Sequence, residues 1–554
     1  ALSPVVGVHN IQTLRANREH PSQANGGGWT YNHQPMMAYW NGKFYMHFLS
    51  DPAEEHVPPS RTLMQVSEDG YNWSQPQILF PEYDVPAGFK KAKYQPKPEL
   101  QYPDVYKQKP LKAIMHQRVG WYVSKGGILL ATGNYGVALD RKDDPNDGNG
   151  IGRVVREVKK DGSLGPIYFI YYNHGFNEKN TAYPNYKKAS KAVRAACEEI
   201  LANPRYRMQW VEEADRGDKL IPLNNGYKAY CDYTLPDGRI VSLWKHALTS
   251  LSLDGGNTYT TTNRALGFVN SNAKIWGQRL TDGSYATVYN PSEYRWPLGI
   301  SLSGDGLEYK TLNLICGEVP PMRYGGNYKS RGPQYVRGIQ EGNGIPKDSD
   351  MWVSYSMNKE DIWVAHVPVP VKTVATAHAD DDFAQYQKLG DLKTWNIYSP
   401  LMAPVSLRQE WLELKDEDPF DYACVERKIP SSSYLKASFD VQAAQTRNGS
   451  LQIEFLDEKG IACTRIELNK EGMIRVKNGA RYGNVMPYQA DQTYRFEATL
   501  DTQHRQLNLT VSILDAEGKT LQSKSTRRIF FAPVHQIERI RFRTGDLRTF
   551  PTID

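Results

Sequence analysis

The chain has 554 residues, 40% of them hydrophobic and 23% charged, and a formal net charge of +6. This length exceeds what one hydrophobic core usually organises, so we expect two domains. The charge is mild and basic residues alternate with acidic ones, which excludes a nucleic-acid-binding arm, and no apolar run is long enough to span a membrane. The five cysteines are widely spaced, which disfavours a zinc site or a disulfide framework.

Residues 5–370 alternate turns rich in Gly and Asp with short runs of β-forming residues. Six such runs indicate the hairpins of four-stranded propeller blades. They begin at Gly42, Gly126, Asp161, Asp237, Asp282 and Asp350. The sequence therefore predicts an all-β fold in which residues 1–372 form a β-propeller of about six blades, with room for a seventh in the irregular stretch 80–125.

One turn phrase recurs within this domain. Residues 252–259 fit the pattern Ser-x-Asp-Gly-Gly-x-Thr-aromatic, a degenerate copy spans 301–309, and a shortened copy spans 67–73. In such a turn the Ser and Asp side chains bond the backbone, and Gly supplies the positive φ. The two longer copies begin about 50 residues apart, which is the length of one blade.

Two further segments differ from the blade pattern. Residues 185–215 carry apolar residues at i, i+3 and i+4 spacing, which predicts one or two helices inserted between blades. After 367–371, the expected exit from the propeller, longer strands alternate apolar and polar residues, as in 435–441 and 507–513. This alternation predicts a β-sandwich accessory domain over 380–554.

The recurring turn resembles the Asp-box of the sialidase-like β-propellers. The phrases at 153–158, 165–170 and 332–339 are similar to those of sialidase-superfamily proteins from glycan-degrading gut Bacteroidetes. Within that group the chain resembles the propeller module that releases an acidic 2-keto-3-deoxy sugar from the pectin rhamnogalacturonan II (glycoside hydrolase family 143). The C-terminal domain resembles the concanavalin-like β-sandwiches appended to propeller glycosidases.

The resemblance implies roles for a loop rich in Arg and Tyr at 323–338. Sialidases hold the substrate carboxylate with arginines, whose bidentate geometry matches it, and attack with a tyrosine activated by a glutamate. Tyr335 is the candidate nucleophile. The candidate substrate-binding residues are Arg337, Arg331, Arg323, Arg295, Arg61, Tyr324 and His116. The alternative is that these side chains are ion pairs and stacking residues that link the blades.

The candidate acids are Asp51, which follows the first inner strand together with Glu54 and Glu55, and Glu212, which ends the helical insertion. The alternative, which the charge pattern favours for both groups, is a solvated run of surface charges. The acidic loop at 143–150 lacks the closing Glu of an EF-hand, so no metal site is assigned. We expect no cofactor, with a structural calcium ion as the alternative.

These features predict an exo-glycosidase that removes a terminal acidic sugar, either a 2-keto-3-deoxy sugar acid or a sialic-acid-like one, from a complex polysaccharide such as pectin. Two alternatives stay open: a propeller polysaccharide lyase that cleaves beside a uronate by β-elimination, and a non-catalytic glycan-binding protein. The expected partner is an anionic carbohydrate, and the oligomeric state is left open. Because the chain begins at Ala1 without Met, we expect export to a secreted, periplasmic or cell-surface location.

Overall fold

The computed structural model describes residues 2–91, 93–101, 104–115, 120–145, 149–210, 220 and 227–545. It divides into two compact units, one of residues 12–370 and one of residues 1–11 with 371–554. The division after residue 370 lies in the expected exit from the propeller. Residues 1–11 were expected in the propeller, but they belong to the C-terminal unit. His9–Ile11 pair in parallel with a strand of that unit.

Residues 12–370 form a β-propeller in which the described strands make five antiparallel blades. The first strand of the chain is β1 (His9–Leu14), and it is followed by the blades in order. Blade 1 holds β2 (Tyr31–Trp40), β3 (Lys43–Asp51), β4 (Arg61–Ser67) and β5 (Gln77–Phe80); blade 2 holds β6 (Gly120–Val123), β7 (Leu129–Tyr135), β8 (Gly152–Val158) and β9 (Leu164–Tyr172). Blade 3 holds β10 (Cys231–Thr234), β11 (Ile240–Trp244), β12 (Leu248–Ser252) and β13 (Asn263–Arg264); blade 4 holds β14 (Trp276–Arg279), β15 (Tyr285–Tyr289), β16 (Leu298–Ser303) and β17 (Asn313–Cys316). Blade 5 holds β18 (Pro333–Gly338), β19 (Met351–Met357) and β20 (Asp361–Val367), with β1 as its outer neighbour.

The described residues contain five blades where about six were expected, and the described part of 80–125 contains no seventh blade. The reason is that two of the six turn-and-strand signals belong to one blade. The run after Gly126 forms β7, and the run after Asp161 forms β9 of the same sheet. Each hairpin of a blade produces the same local signal, so counting hairpins overestimates the number of blades.

The first strands of the blades lie at the centre of the propeller. β2 contacts β6 and β18, and β14 contacts β10 and β18. A parallel bridge between Met37 and Ile339 joins the first and last blades. Because neighbouring strands in a blade are antiparallel, the start of each first strand and the end of each second strand meet at the same end of the propeller. That end receives side chains from residues far apart in the sequence.

The predicted helical insertion is confirmed within the described residues. Helix α1 (Lys191–Ala202) and the short α2 (Pro204–Met208) lie between blades 2 and 3. Ser190 caps α1 by accepting from the Val193 amide, and the apolar face of α1 packs against blade 2. The helices therefore serve to cover the sheet. None of the helices in the described residues has the length and apolarity needed to cross a lipid bilayer.

The three predicted turns share one hydrogen-bond pattern. In each, a Ser side chain donates to an Asp carboxylate two residues later and accepts from a Gly amide, and the Asp accepts from later amides of the turn. The Ser and Asp pairs are Ser67 with Asp69, Ser252 with Asp254, and Ser303 with Asp305. Each turn joins the third and fourth strands of its blade.

The C-terminal unit is a β-sandwich, as predicted. Its strands are β21 (Trp395–Ser399), β22 (Val405–Arg408), β23 (Trp411–Leu414), β24 (Cys424–Ser432), β25 (Tyr434–Gln442), β26 (Leu451–Leu456), β27 (Ala462–Leu468), β28 (Met473–Asn478), β29 (Arg481–Pro487), β30 (Thr493–Asp501), β31 (Gln506–Leu514), β32 (Thr520–Ile529) and β33 (Ile537–Thr544). The sheet β25-β30-β31-β32 faces the sheet that contains β24, β33 and β26–β29. Their alternating apolar residues, including Phe455 and Phe496, form one buried core between them.

Candidate functional site

Tyr335 lies at the centre of a buried polar cluster at the end of the propeller where the second strands finish. It is 2% exposed and has a left-handed backbone, with φ of 56°. Its hydroxyl oxygen accepts a hydrogen bond of 2.7 Å from the Lys245 ammonium, and its ring lies 4.3 Å from the ring of His33. A left-handed tyrosine inside a strand costs free energy, and such strain is found mostly where function requires it.

Four cationic side chains surround the Tyr335 ring. Their charged groups lie 4.8 Å (Lys245), 5.0 Å (Arg295), 5.1 Å (Lys274) and 5.9 Å (Lys359) from its centroid. The four side chains come from blades 3, 4 and 5, and all three lysines are buried. Converging cations with little water between them form a strong binding site for a carboxylate or another anion.

Arg295 is held in this arrangement by three neutral partners. Its guanidinium donates to Asn272 at 3.0 Å, to Gln334 at 2.8 Å and to Ser330 at 3.5 Å. None of these three partners is an acid, so these hydrogen bonds orient the guanidinium without neutralising it. The predicted substrate-binding role of Arg295 therefore fits its position.

Two carboxylates lie near this cluster: Glu55 contacts Lys359, and Asp51 lies within electrostatic reach of Glu55 and Tyr31. Asp51, at the end of β3, is fully buried and accepts a short hydrogen bond from Ser60; burial, and to a lesser degree the nearby Glu55, raise the pKa of Asp51 well above its usual value. Glu55 accepts a 2.6 Å hydrogen bond from Lys359. Burial lowers the pKa of Lys359, Glu55 opposes this shift, and Arg295 and Lys245 add to it, so that the pKa falls to about 8. The site thus combines a carboxyl whose pKa is raised by burial with one that is ion-paired.

Tyr31 and His33, both on β2, complete the cluster. Burial raises the pKa of Tyr31 well above its usual value, and Glu55, Asp51 and Tyr335 act in the same direction, which places all three within electrostatic reach. Burial and then Lys359 lower the pKa of His33 well below its usual value, so His33 is neutral. Its Nδ1 lies 2.6 Å from the Ser356 hydroxyl.

Arg337 does not join this cluster, although it was predicted to bind substrate with Tyr335. A register shift between Gln334 and Arg337 breaks the strand, so the regular alternation expected to place both side chains on one face does not apply. The buried Arg337 guanidinium donates to the carbonyls of Ile275 at 2.8 Å and Ala229 at 3.2 Å. These bonds tie blade 5 to residues preceding blades 4 and 3, which is a framework role.

Arg323 is likewise engaged with protein groups. Its guanidinium donates to Asp361 at 2.5 Å and to the carbonyl of Ala16 at 2.8 Å, and lies 3.7 Å from Glu360. These contacts fit the blade-linking alternative better than substrate binding.

The remaining candidates lie apart from Tyr335 or outside the described residues. Tyr324 donates to Glu19 at 2.5 Å, Arg331 is exposed, and the half-buried Arg61 lies 3.5 Å over the ring of Trp29. Glu212 and His116 lie outside the described residues, so their roles stay predictions.

Sequence reasoning missed the three lysines. Lys245 directly follows β11, the second strand of blade 3. Lys359 lies in the turn after β19, the second strand of blade 5, and Lys274 lies two residues before β14, the first strand of blade 4. Those are the positions where a propeller places its central side chains, but lysine at a strand end is also a common solvated residue. A lysine at a strand end could be assigned to the site only once the pairing of the strands in each blade was known.

The calcium alternative also stays a prediction. Asp143 of the acidic loop forms a buried 2.9 Å ion pair with Lys91, while residues 146–148 lie outside the described residues. Within the described residues, the only group of three side chains spaced for a metal is Asp348, Asp350 and His366. His366 there lies 2.7 Å from Asp350 and stacks on a tryptophan, which makes it part of a closed hydrogen-bond network.

Known families match both ends of the chain. Residues 1–227 match the family model described as "BT_1020-like, N-terminal beta propeller", and residues 395–554 match the model described as "Sialidase-like, CBM domain". A solved structure named "Sialidase" is 64% identical with a TM-score of 0.94; the match covers 100% of this chain and 50% of that one. The chain therefore spans half the length of this relative. No curated protein matches the sequence.

More distant structures share only a broad likeness. Trypanosoma rangeli sialidase in complex with sialic acid is 10% identical with a TM-score of 0.38, and covers 99% of this chain and 97% of its own. An exo-inulinase from Aspergillus awamori is 10% identical with a TM-score of 0.34, covering 97% and 98%. Neither likeness bears on the chemistry of the site. The two family models and the 64%-identical structure show an N-terminal β-propeller and a C-terminal sialidase-like CBM domain, an arrangement consistent with a sialidase-superfamily protein.

Proposed function

We propose that the propeller is an exo-acting glycoside hydrolase that removes a terminal acidic sugar from a complex polysaccharide and acts after export. The observation that carries this proposal is the convergence of Arg295, Lys245, Lys274 and Lys359 on Tyr335. Four cations around one potential nucleophile suit a sugar whose carboxylate lies next to the reacting carbon. A 2-keto-3-deoxy sugar acid and a sialic-acid-like sugar both have that chemistry, and pectin is a source of the former.

The proposed mechanism assigns the attack to Tyr335. Its oxygen forms a bond to the anomeric carbon while the glycosidic C–O bond breaks, and its own proton passes to Glu55, whose ion-pair partner Lys359 lies 5.9 Å from the Tyr335 ring. The Lys245 ammonium, 2.7 Å from the same oxygen, stabilises the negative charge that develops there. Arg295 and the other lysines hold the substrate carboxylate.

Asp51 is the proposed general acid. Burial raises its pKa well above the usual value, which suits a carboxyl that gives its proton to the leaving oxygen as the glycosidic bond breaks. Asp51 is then a carboxylate that can take a proton from the water that attacks the glycosyl–tyrosine intermediate. As water attacks, the bond between the anomeric carbon and the Tyr335 oxygen breaks, and Glu55 returns its proton to that oxygen. The free sugar acid is released, and Tyr335, Glu55 and Asp51 are restored to their starting states.

The name of the 64%-identical structure, "Sialidase", supports a glycosidase, and the resemblance to the rhamnogalacturonan II hydrolase supports the 2-keto-3-deoxy class. The test incubates the protein with rhamnogalacturonan II oligosaccharides and with sialosides and measures released acidic monosaccharide by anion-exchange chromatography. Tyr335→Phe should abolish release, whereas Tyr289→Phe, which removes a buried hydroxyl bonded to Ser301, should retain it. No acidic sugar released from either panel would refute the proposal.

A polysaccharide lyase is the second candidate, because neutral His33 lies against Tyr335 among cations that suit a uronate. In β-elimination one residue takes the proton beside the carboxylate while another protonates the leaving oxygen, and a C=C bond forms. Absorbance of unsaturated uronate during treatment of ulvan or pectin would favour this reaction over hydrolysis. Glycan binding by calorimetry without turnover would instead favour a non-catalytic protein.

A further inference from the structure

Tyr31, His33 and Gln34 of β2 carry buried polar groups, and the rings of Tyr31 and His33 lie beside the cation cluster. The Tyr31 hydroxyl, the His33 Nε2 and both side-chain amide atoms of Gln34 have no hydrogen-bond partner among the residues that the structure describes. All three residues are 0% exposed. Because buried polar groups in folded proteins are nearly always hydrogen-bonded, three such groups within four residues call for a specific explanation.

The backbone at this point is also irregular. The pairing of β2 with β3 shifts register between His33 and Met36, and Gln34 has a left-handed φ of 60°. A glutamine has no intrinsic reason to adopt that conformation, which is unfavourable for a residue with a side chain. The strain at Gln34 and the strain at Tyr335, with φ of 56°, occur on neighbouring central strands.

Ring contacts of Tyr31 and His33 place this edge of the site, the start of β2, at the proposed active site. The His33 ring lies 4.3 Å from the Tyr335 ring and 5.8 Å from the Tyr31 ring, and Lys359 lies 5.9 Å from both tyrosine rings. The same edge therefore adjoins the cations that would hold a carboxylate. It offers groups of a different kind: a hydroxyl, an imidazole nitrogen and an amide with both a donor and an acceptor.

We propose that Tyr31, His33 and Gln34 form the edge of the site that hydrogen-bonds the ring hydroxyls of the bound sugar and thereby determines which acidic sugar is accepted. This inference rests on the proposed function and extends it from charge recognition to sugar recognition. The high pKa of Tyr31 agrees, because a phenol that keeps its proton is a hydrogen-bond donor and not a second nucleophile. A site built to bond a hydroxyl discriminates strongly against ligands without it, since its own buried groups would then lack partners.

The decisive variant is Tyr31→Phe, which removes only the hydroxyl. Its matched control is Tyr289→Phe, because the Tyr289 hydroxyl is equally buried but lies 2.8 Å from the Ser301 hydroxyl. If the Tyr31 hydroxyl serves a ligand and not the fold, Tyr31→Phe should leave the melting temperature unchanged or raise it, while Tyr289→Phe should lower it. Gln34→Met is the second variant, with the same expectation for stability.

Binding is measured by calorimetry with three probes: 2-keto-3-deoxyoctonate, N-acetylneuraminic acid and pyruvate. Pyruvate carries the keto acid but no ring hydroxyl. We expect Tyr31→Phe and Gln34→Met to weaken binding of at least one sugar acid about 10- to 100-fold and to leave pyruvate binding unchanged. Arg295→Ala should weaken all the probes that bind.

The outcomes separate the two proposals. If neither sugar acid nor pyruvate binds the wild-type protein, the anionic-sugar function fails and this inference fails with it. If the sugar acids bind but Tyr31→Phe and Gln34→Met bind them as tightly as wild type, only the inference is overturned. A fall in melting temperature for Tyr31→Phe as large as that of Tyr289→Phe would also overturn it, because the hydroxyl would then be part of the fold.

Discussion

The hydrogen bond from Lys245 to Tyr335 makes a quantitative prediction about the proposed reaction. Lys245→Met keeps most of the side-chain length and removes the ammonium that donates to the tyrosine oxygen at 2.7 Å. The substrate carboxylate would still be met by Arg295, Lys274 and Lys359. We therefore expect the variant to lose turnover much more than substrate binding, because Lys245 is the cation that contacts the nucleophilic oxygen.

The size of the loss follows from the charge that develops on that oxygen. A unit charge 2.7 Å from a cation is stabilised by about 6 kcal/mol at an effective dielectric constant of about 20. Desolvation and residual hydrogen bonding reduce this, and loss of one donor to a developing oxyanion typically costs about 3–4 kcal/mol. We expect kcat to fall about 100- to 1,000-fold, with a change in KM of less than about 10-fold.

The assay is release of the acidic sugar from rhamnogalacturonan II oligosaccharides or sialosides, measured for Lys245→Met, Tyr335→Phe and the double variant. Because the two groups act through one bond, the double variant should be no slower than Tyr335→Phe alone. Lys428→Met is the control for loss of a buried lysine, since Lys428 donates to groups of the C-terminal unit. It should leave kcat unchanged.

Two results would refute this reasoning. If Lys245→Met retained more than a third of wild-type kcat, the ammonium would not stabilise the attacking oxygen. If the losses of the two single variants multiplied in the double variant, Lys245 and Tyr335 would act independently. In either case the contact between them would be structural.

The remaining predictions concern stability and pH. Arg337→Ala should lower the free energy of unfolding by about 2–4 kcal/mol in a denaturant titration, because it leaves buried carbonyls without their donor. KM for an anionic substrate should rise as pH increases through about 8, where Lys359 loses its charge, and Lys359→Arg should remove this inflection. As the pKa of Lys359 is lowered from 10.5 in the folded protein, its contribution to stability becomes more favourable as pH rises from about 8 to 10.5. Gly70→Ala should lower the melting temperature, because Gly70 has φ of 79° and an added Cβ would collide with the Trp352 ring.

Each of these has a control and a contradicting result. Arg331→Ala, at an exposed arginine, should leave stability unchanged, and unchanged stability in Arg337→Ala would return that residue to the substrate-binding candidates. A flat KM between pH 7 and 9 would show that Lys359 does not meet the substrate. Gly42→Ala has φ of 72° with open space around the added Cβ, so equal losses at both glycines would attribute the Gly70 effect to backbone strain alone.

Local chemistry made much of the architecture predictable. The Ser and Asp side chains of each recurring turn bond amides within a few residues, so these turns were recognisable without any tertiary contact. The alternation of apolar residues in the C-terminal half reports one buried face per sheet, and the helical period of 191–202 reports one buried helix face. Tyr335 and Arg295, which the structure brings together, were candidates from the sequence because Tyr and Arg near blade ends suit an acidic sugar, and Asp51 was a candidate because it follows an inner strand; their roles stay predictions.

The number of blades and the membership of the site depended on tertiary structure. Both hairpins of blade 2 have the same local signal, so only strand pairing shows that they belong to one sheet. Lys245, Lys274 and Lys359 meet around Tyr335 because the ends of three blades converge, although up to 114 residues separate the first from the last. The Arg337 side chain donates to backbone carbonyls, because the strand changes register between Gln334 and Arg337. The sequence alone determined the kinds of element and their order, since these depend on neighbours in the chain; the site depended on side chains brought together through space.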